Sequence, residues 1–257
     1  METKLCLIHG MWGSPALWHN YRFFFESNGY KVCCPALPHH IPPGETNKVA
    51  REGMASYLSS LEKQLIHDAA DTILIGHSMG GLLAQILASR HPFKAIILIT
   101  PAPPAEVSGL DFSSFFTFLP ILFLGNFWQK ALIPNRESFH RICGGRLSAE
   151  TESDLFSSLV PESGKAFSEM AFPFLHSSKI CSVPPHAIRC PIRIYSGGRD
   201  VVTPPSVVRR ISRYYNTEQI HYPPLSHGMI WEPEWEDVAR HILEWIRNLA
   251  AHSQRTS

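Results

Sequence analysis

The stretch TILIGHSMGG, Thr72 to Gly81, decides the fold. Three consecutive branched apolar residues, Ile73, Leu74 and Ile75, describe a strand covered on both faces. The strand runs directly into Ser78, which has Gly76 two residues before it and Gly80 two residues after. Beyond the serine, MGGLLAQILASR has helical spacing, with Leu82, Leu83, Ile86 and Leu87 on the packing face. A serine on so sharp a strand-to-helix turn has its Oγ pushed out above the sheet edge, and glycines at the flanks remove side chains that would collide. The helix N-terminus adds backbone N–H groups able to stabilise negative charge. The segment therefore displays a nucleophile.

Outward from this turn, short apolar runs alternate with amphipathic stretches: KLCLIH, YKVCC, TILIG, KAIILIT, PIRIYSG and EQIHY. That alternation gives an α/β class, a mostly parallel sheet of at least six strands wound by right-handed crossovers, with helices on both faces. Ser14 with Pro15, Thr203 with Pro204, and Pro233 mark helix starts. Between the fourth strand, ending near Thr100, and the fifth, beginning near Pro191, lie about 90 residues, far more than one crossover needs. The breakers PAPPAEVSG and SVPPHAIRCP bound this segment, and SAETESDLFSSLV and ESGKAFSEMAFPFL within it have helical patterns. The expected organisation is a core formed by residues 1–100 and 190–257 with a helical lid, 101–189, inserted over the C-terminal ends of the strands, where open α/β sheets bind ligands.

Composition narrows the classes. With 257 residues and 44% hydrophobic content the chain can bury one large core. A formal net charge of +1 leaves no electrostatic footprint for nucleic acid or an acidic membrane. The opening METKLCLIHG reads as a strand and not as a secretory leader. The most apolar run, Phe115 to Trp128, contains a proline and is shorter than the ~20 residues of a membrane span. The six cysteines lack CxxC spacing; Cys6, Cys33 and Cys34 read as small hydrophobes in strands, and a reducing, cytoplasmic setting is expected.

A serine hydroxyl is a weak nucleophile unless a base takes its proton and a third group orients the base. Asp200, at the end of the fifth strand in IYSGGRDVVTP, is the acid candidate, and His227, just after the sixth in PPLSHGMI, is the base candidate. Both fall on loops at the sheet edge that carries Ser78. Of the other histidines, His77 points away as the next residue along the turn, His9 either anchors the loop after the first strand or packs in the core, and His39 and His40 either rim the entrance or, the favoured reading, cap a loop. Asp68 and Asp71 lie at the far end of the nucleophile strand. Asp111, in the lid, is a reserve acid.

Taken together, HGMWG at 9–13, GHSMGG at 76–81, GGRD at 197–200 and SHG at 226–228 resemble the oxyanion loop, nucleophile elbow, acid loop and histidine loop of the α/β-hydrolase superfamily. The resemblance spans nearly the whole chain, to an esterase/lipase-like member with a helical lid. It implies Ser78 as nucleophile, His227 as base, Asp200 as acid, and the N–H groups of Met11 and Met79 as the oxyanion hole. It implies no cofactor and no metal.

The lid run DFSSFFTFLPILFLGNFW concentrates aromatic surface, and Phe115, Phe116 and Phe123, with Trp12 of the oxyanion loop, are the expected pocket residues. The expected activity is hydrolysis of carboxylic esters, thioesters or lactones with an apolar acyl or alcohol part, through an acyl-enzyme. Partners are thus an apolar small-molecule ester, with no nucleic acid and no stable membrane insertion, for a monomer or homodimer. Two alternatives share the fold: cleavage or elimination at a carbon–carbon bond with the same triad, and a non-enzymatic small-molecule receptor. For the first, Arg136, Arg141 and Arg146 could bind a substrate carboxylate.

Overall fold

A computed structural model describes residues 3–42 and 44–253; Met1 and Glu2 of the opening stretch lie outside them. The chain forms β1 (Lys4–Ile8), α1 (His19–Ser27), β2 (Lys31–Cys33), α2 (Thr46–Val49), α3 (Met54–Leu65), β3 (Thr72–His77), α4 (Met79–Arg90) and β4 (Ala95–Ile99). The inserted segment carries α5 (Phe112–Leu122), β5 (Ala131–Leu132), α6 (Arg136–Ile142), α7 (Ala149–Ser158), β6 (Glu162–Ser163) and α8 (Gly164–Ala171). β7 (Ile192–Gly197), α9 (Pro205–Tyr214), β8 (Gln219–Tyr222) and α10 (Trp235–Ser253) complete it.

Six strands form one parallel sheet in the order β2-β1-β3-β4-β7-β8. β3 is central and fully buried, and its side chains alternate between two cores. Ile73 and Ile75 pack with Trp18, Phe25 and Ile242, on the side of α1 and α10. Leu74 packs with Leu58, Leu83 and Ile211, on the side of α3, α4 and α9. From β1 the chain winds to β2 on one side, and from β3 it winds to β4, β7 and β8 on the other. The order therefore reverses between β1 and β3, which opens a crevice above their C-terminal ends. The loop after β1 and the turn after β3 face each other across it.

The inserted segment leaves from β4 and returns to β7. Its helices are capped locally: Asp111, Asn135, Ser148 and Ser163 accept hydrogen bonds from the backbone N–H groups of Ser113, Ser138, Thr151 and Lys165. β5 and β6 pair antiparallel. Hydrogen bonds across its length seat the segment on the sheet domain. Trp12 Nε1 donates to Leu132 O (3.0 Å), Val160 N donates to Trp12 O (2.9 Å), Met54 N donates to Glu169 Oε2 (2.7 Å), and Ser114 Oγ donates to Val202 O (2.9 Å). A buried ionic contact adds to these: Glu162 lies 3.2 Å from His40 Nε2 and accepts from Tyr57 Oη at 2.6 Å, with His40 and Glu162 both fully buried.

Two expected caps are replaced. Ser14 gives no side-chain cap to the turn at Pro15 and its hydroxyl is buried without a partner. Pro204, not Thr203, is the N-cap of α9, because the Thr203 hydroxyl is drawn to Asp200 and to Thr100 O. No helix among the described residues is long and apolar enough to cross a membrane.

Candidate active site

Ser78 sits between β3 and α4 with φ 56° and ψ −121°, a left-handed conformation that side chains other than glycine rarely take. The backbone holds it there from both sides: Ser78 N donates to Ile99 O (3.1 Å), and Ser78 O accepts from Gly81 N (2.9 Å) and Ala102 N (3.0 Å). Glycine is required at the flanks by space. A Cβ on Gly76 would stand 2.3 Å from Gly80 O, and one on Gly80 would stand 2.2 Å from Ile8 O. α4 is thereby pressed against β1 and β3, and the serine projects into the crevice.

His227 and Asp200 reach the same point from the loops after β8 and β7. His227 Nε2 lies 3.0 Å from Ser78 Oγ, and His227 Nδ1 lies 2.9 Å from Asp200 Oδ2. Asp200 Oδ1 accepts from Val202 N (2.7 Å) and Thr203 N (2.9 Å), and Oδ2 accepts from Thr203 Oγ1 (3.0 Å). Burial alone would raise the Asp200 carboxyl, but the facing His227 and these N–H donors outweigh it and hold the group below the usual carboxylate range. A fixed carboxylate makes Nδ1 the protonated nitrogen and leaves Nε2 free to accept the serine proton.

His77 was expected to point away. Instead its Nε2 donates to the main-chain carbonyl of His227 at 2.9 Å, with the two rings 4.9 Å apart. Burial lowers its pKa to about 3, so it stays neutral beside His227. His9 takes the expected anchoring place: Nδ1 donates to Gly10 O (3.0 Å) and Nε2 accepts from Leu37 N (3.3 Å). Met79 is the first residue of α4, where N–H groups have no intrahelical partner, and Met11 lies in the loop after β1. Among the described residues neither N–H is taken by another protein group.

A cavity of about 570 Å³ opens on Ser78 and His227. Its wall is mostly apolar and includes Met11, Trp12, Ala102, Phe115, Phe118, Leu122, Phe139, Ile142, Phe167, Phe172 and Trp231. Trp12 and Phe115 are among the lining residues. Phe116 and Phe123 do not line the cavity; they are 44% and 80% exposed. On α5, residues 115, 118 and 122 share the face that borders the cavity, with Phe115, itself 49% exposed, at its rim, and Phe116 and Phe123 lie off that face. Phe118, Leu122 and Phe167 were missed; the three-and-four spacing would have found the first two had the inward face been known.

No lysine or arginine lines the cavity among the described residues. Arg136 lies over the Phe156 ring (4.6 Å), Arg141 pairs with Glu137 (3.5 Å), and Arg146 pairs with Glu232 and Glu234. The carboxylates on the wall are Glu106 and Asp111. Asp111 accepts from Ser113 and Ser206 and is not joined to His227. His39 pairs with Glu45 and Glu52.

With this fold and this turn, the chain belongs to the alpha/beta hydrolase family, whose model matches residues 7–241. Among characterised relatives, it is 33% identical over 97 residues to a pyrethroid hydrolase of Sphingobium wenxiniae, covering 38% of this chain and 34% of that one. It is 27% identical over 166 residues to an AB hydrolase superfamily protein of Gibberella zeae, covering 61% and 54%. The chain thus spans about a third to about half the length of these relatives. Among solved structures, a methylesterase from Arabidopsis superposes with a TM-score of 0.72 at 15% identity, over 95% of this chain and 99% of that one.

Proposed function

We propose that the protein is a serine carboxylesterase acting on uncharged esters, thioesters or lactones with a substantial apolar part. The observation that carries this reading is the unbroken relay Asp200–His227–Ser78 ending inside a 570 Å³ cavity walled by apolar side chains. His227 Nε2 takes the Ser78 proton as Oγ attacks the carbonyl carbon, and the N–H groups of Met11 and Met79 receive the oxyanion. The imidazolium, stabilised by Asp200, returns the proton to the leaving alkoxide or thiolate. Water, deprotonated by the same nitrogen, then releases the acid and restores Ser78.

The segment 101–189 acts as a lid, supplying the far wall of the cavity through Phe115, Phe118 and Phe167. The absence of any arginine or lysine from the lining, among the described residues, favours a neutral substrate over the carboxylate-bearing ones of carbon–carbon hydrolases. The kinship with a pyrethroid hydrolase supports an ester of a bulky apolar acid or alcohol.

The test is labelling with a fluorophosphonate, mapped by peptide mass, together with turnover of nitrophenyl esters. Labelling of Ser78 with many turnovers per molecule is expected. One slow turnover per molecule would instead indicate a receptor, and faster turnover of an ester bearing a free carboxylate would remove the neutral-substrate assignment.

A further inference from the structure

The histidine loop is not held by its own domain alone. Glu232, fully buried, lies five residues after His227 in the chain. Its Oε1 accepts from Ser226 N at 2.9 Å and from the Ser226 hydroxyl, and Ser226 Oγ in turn accepts from Gly228 N at 3.2 Å. Both residues that flank His227 therefore hang on one carboxylate. The charge facing that carboxylate comes from the inserted segment: Arg146 Nε lies 2.8 Å from Glu232 Oε2, a close charge contact without the alignment of a hydrogen bond, while Nη2 is hydrogen-bonded to Glu234.

The chain around Arg146 is built to reach this point. Gly144 has φ +63°, and a Cβ on it would stand 2.7 Å from Ser226 Cβ, so only glycine lets the turn after α6 approach so closely. Ile142 O lies 3.3 Å from Ser226 Oγ, and the Ile142 side chain lines the cavity. One turn of the inserted segment thus touches the substrate space at one end and the histidine loop at the other.

We infer that Arg146 is a positioning residue for the relay: by neutralising buried Glu232 it keeps the Ser226–Glu232–Gly228 clamp closed and holds His227 Nε2 in line with Ser78 Oγ. The inference rests on the triad reading above. A buried carboxylate deprived of its cation must take up a proton or draw in water, and either change rearranges the acceptors that fix Ser226. Displacement of the imidazole slows proton transfer, while the apolar wall that binds substrate is left as it was.

The experiment is a double-mutant cycle read in kcat and KM for one nitrophenyl ester, with the rate of fluorophosphonate inactivation as a second readout and thermal melting as a check on folding. R146M should lower kcat and the inactivation rate about ten- to a hundred-fold, with KM changed less than about two-fold. R146K, which keeps a cation, should fall between R146M and wild type. Adding E232Q to R146M removes the unpaired charge but keeps the oxygen that Ser226 uses, so the double variant should regain most of the lost kcat. A kcat for R146M near wild type, a loss that appears in KM instead, or a double variant no better than R146M overturns the inference. Should R146M fail to fold, E232Q is compared with E232L: the leucine variant, lacking the acceptor, should have a kcat at least about ten-fold lower at similar KM, and equal kcat values overturn the inference. H227A is run alongside. If H227A keeps turnover, the triad reading has failed; if it loses turnover and R146M does not, only the role of Arg146 has failed.

Discussion

The residue before Ser78 grips the loop that carries His227: His77 Nε2 donates to the carbonyl of His227 across 2.9 Å. Ser78 opens on the cavity, and the His77 ring packs against His227 and holds its backbone. H77A should lower kcat about five- to ten-fold, the worth of one net hydrogen bond of about 1 kcal/mol. Because His77 is neutral down to about pH 3, the loss should be the same at every pH above about 5. A loss that grows or shrinks across neutral pH would show that His77 titrates.

S78A should remove nearly all turnover, at least about a thousand-fold in kcat, without unfolding the protein. The hydroxyl projects into the cavity and its loss opens no void in the core. S78G should be as inactive and more stable to heat than S78A, since glycine takes φ 56° without strain. Residual activity above about a tenth of wild type would remove Ser78 from the nucleophile role.

D200N should cost about ten thousand-fold in kcat, because an amide no longer holds the His227 proton on Nδ1. D111N should cost little, its oxygens being used to cap α5 and to hold Ser206. Steady-state kinetics of the two variants side by side decide which carboxylate serves the histidine.

Specificity constants for nitrophenyl esters should rise with acyl length from acetate to hexanoate or octanoate, by up to ~0.8 kcal/mol for each methylene buried. F118A should shift the optimum to longer or bulkier chains, since Phe118 lines the cavity. F123A should leave the profile unchanged, since Phe123 is 80% exposed. An identical shift in both variants would mean that α5 is turned differently about its axis.

The buried pair His40–Glu162 joins the inserted segment to the sheet domain, and its protonation sets a pH window. Burial opposes the charge on both groups, but mutual attraction prevails, raising His40 above the usual histidine value and lowering Glu162 below the usual carboxylate value. The Glu162 contribution is present above its unfolded pKa of about 4.3 and is lost as pH falls through its lowered value. The His40 contribution is full below about 6.5 and is lost as pH rises through its raised value. The melting-temperature difference between wild type and E162A should therefore be largest between those two values, where removing one partner leaves the other buried and uncompensated at a cost of about 3–5 kcal/mol. A difference constant from pH 4 to 9 would mean that the pair is not ionic.

The sheet and the relay were legible because each is written locally. Ile73 to Ile75 read as a buried strand, Gly76 and Gly80 mark the sharp turn after it, and Asp200 and His227 follow apolar runs that end at the same sheet edge. The faces of α5 were not legible. Phe112, Phe115, Phe116, Phe118 and Phe123 are chemically alike, and only the packing of the helix against Val201 and Val202, through Ser114 and Thr117, determines that 115 and 118 border the cavity. Pairings over long chain separations were equally hidden. Nothing near Arg146 in the sequence points to Glu232, and nothing near His40 points to Glu162.

The insertion between β4 and β7 also fixes the order in which the molecule can be completed during translation. β4 emerges from the ribosome with its far edge unpaired, and its sheet partner β7 follows only after about 90 further residues, roughly five to twenty seconds of synthesis. For that time the backbone of Ile96 to Ile99, which in the finished sheet pairs with Ile192 to Tyr195, is an open apolar edge available to any passing strand. Ser78 is made early, and Asp200 and His227 last. A nascent chain would thus present the bent, glycine-flanked turn at Ser78 before the strands that carry Asp200 and His227 to it exist.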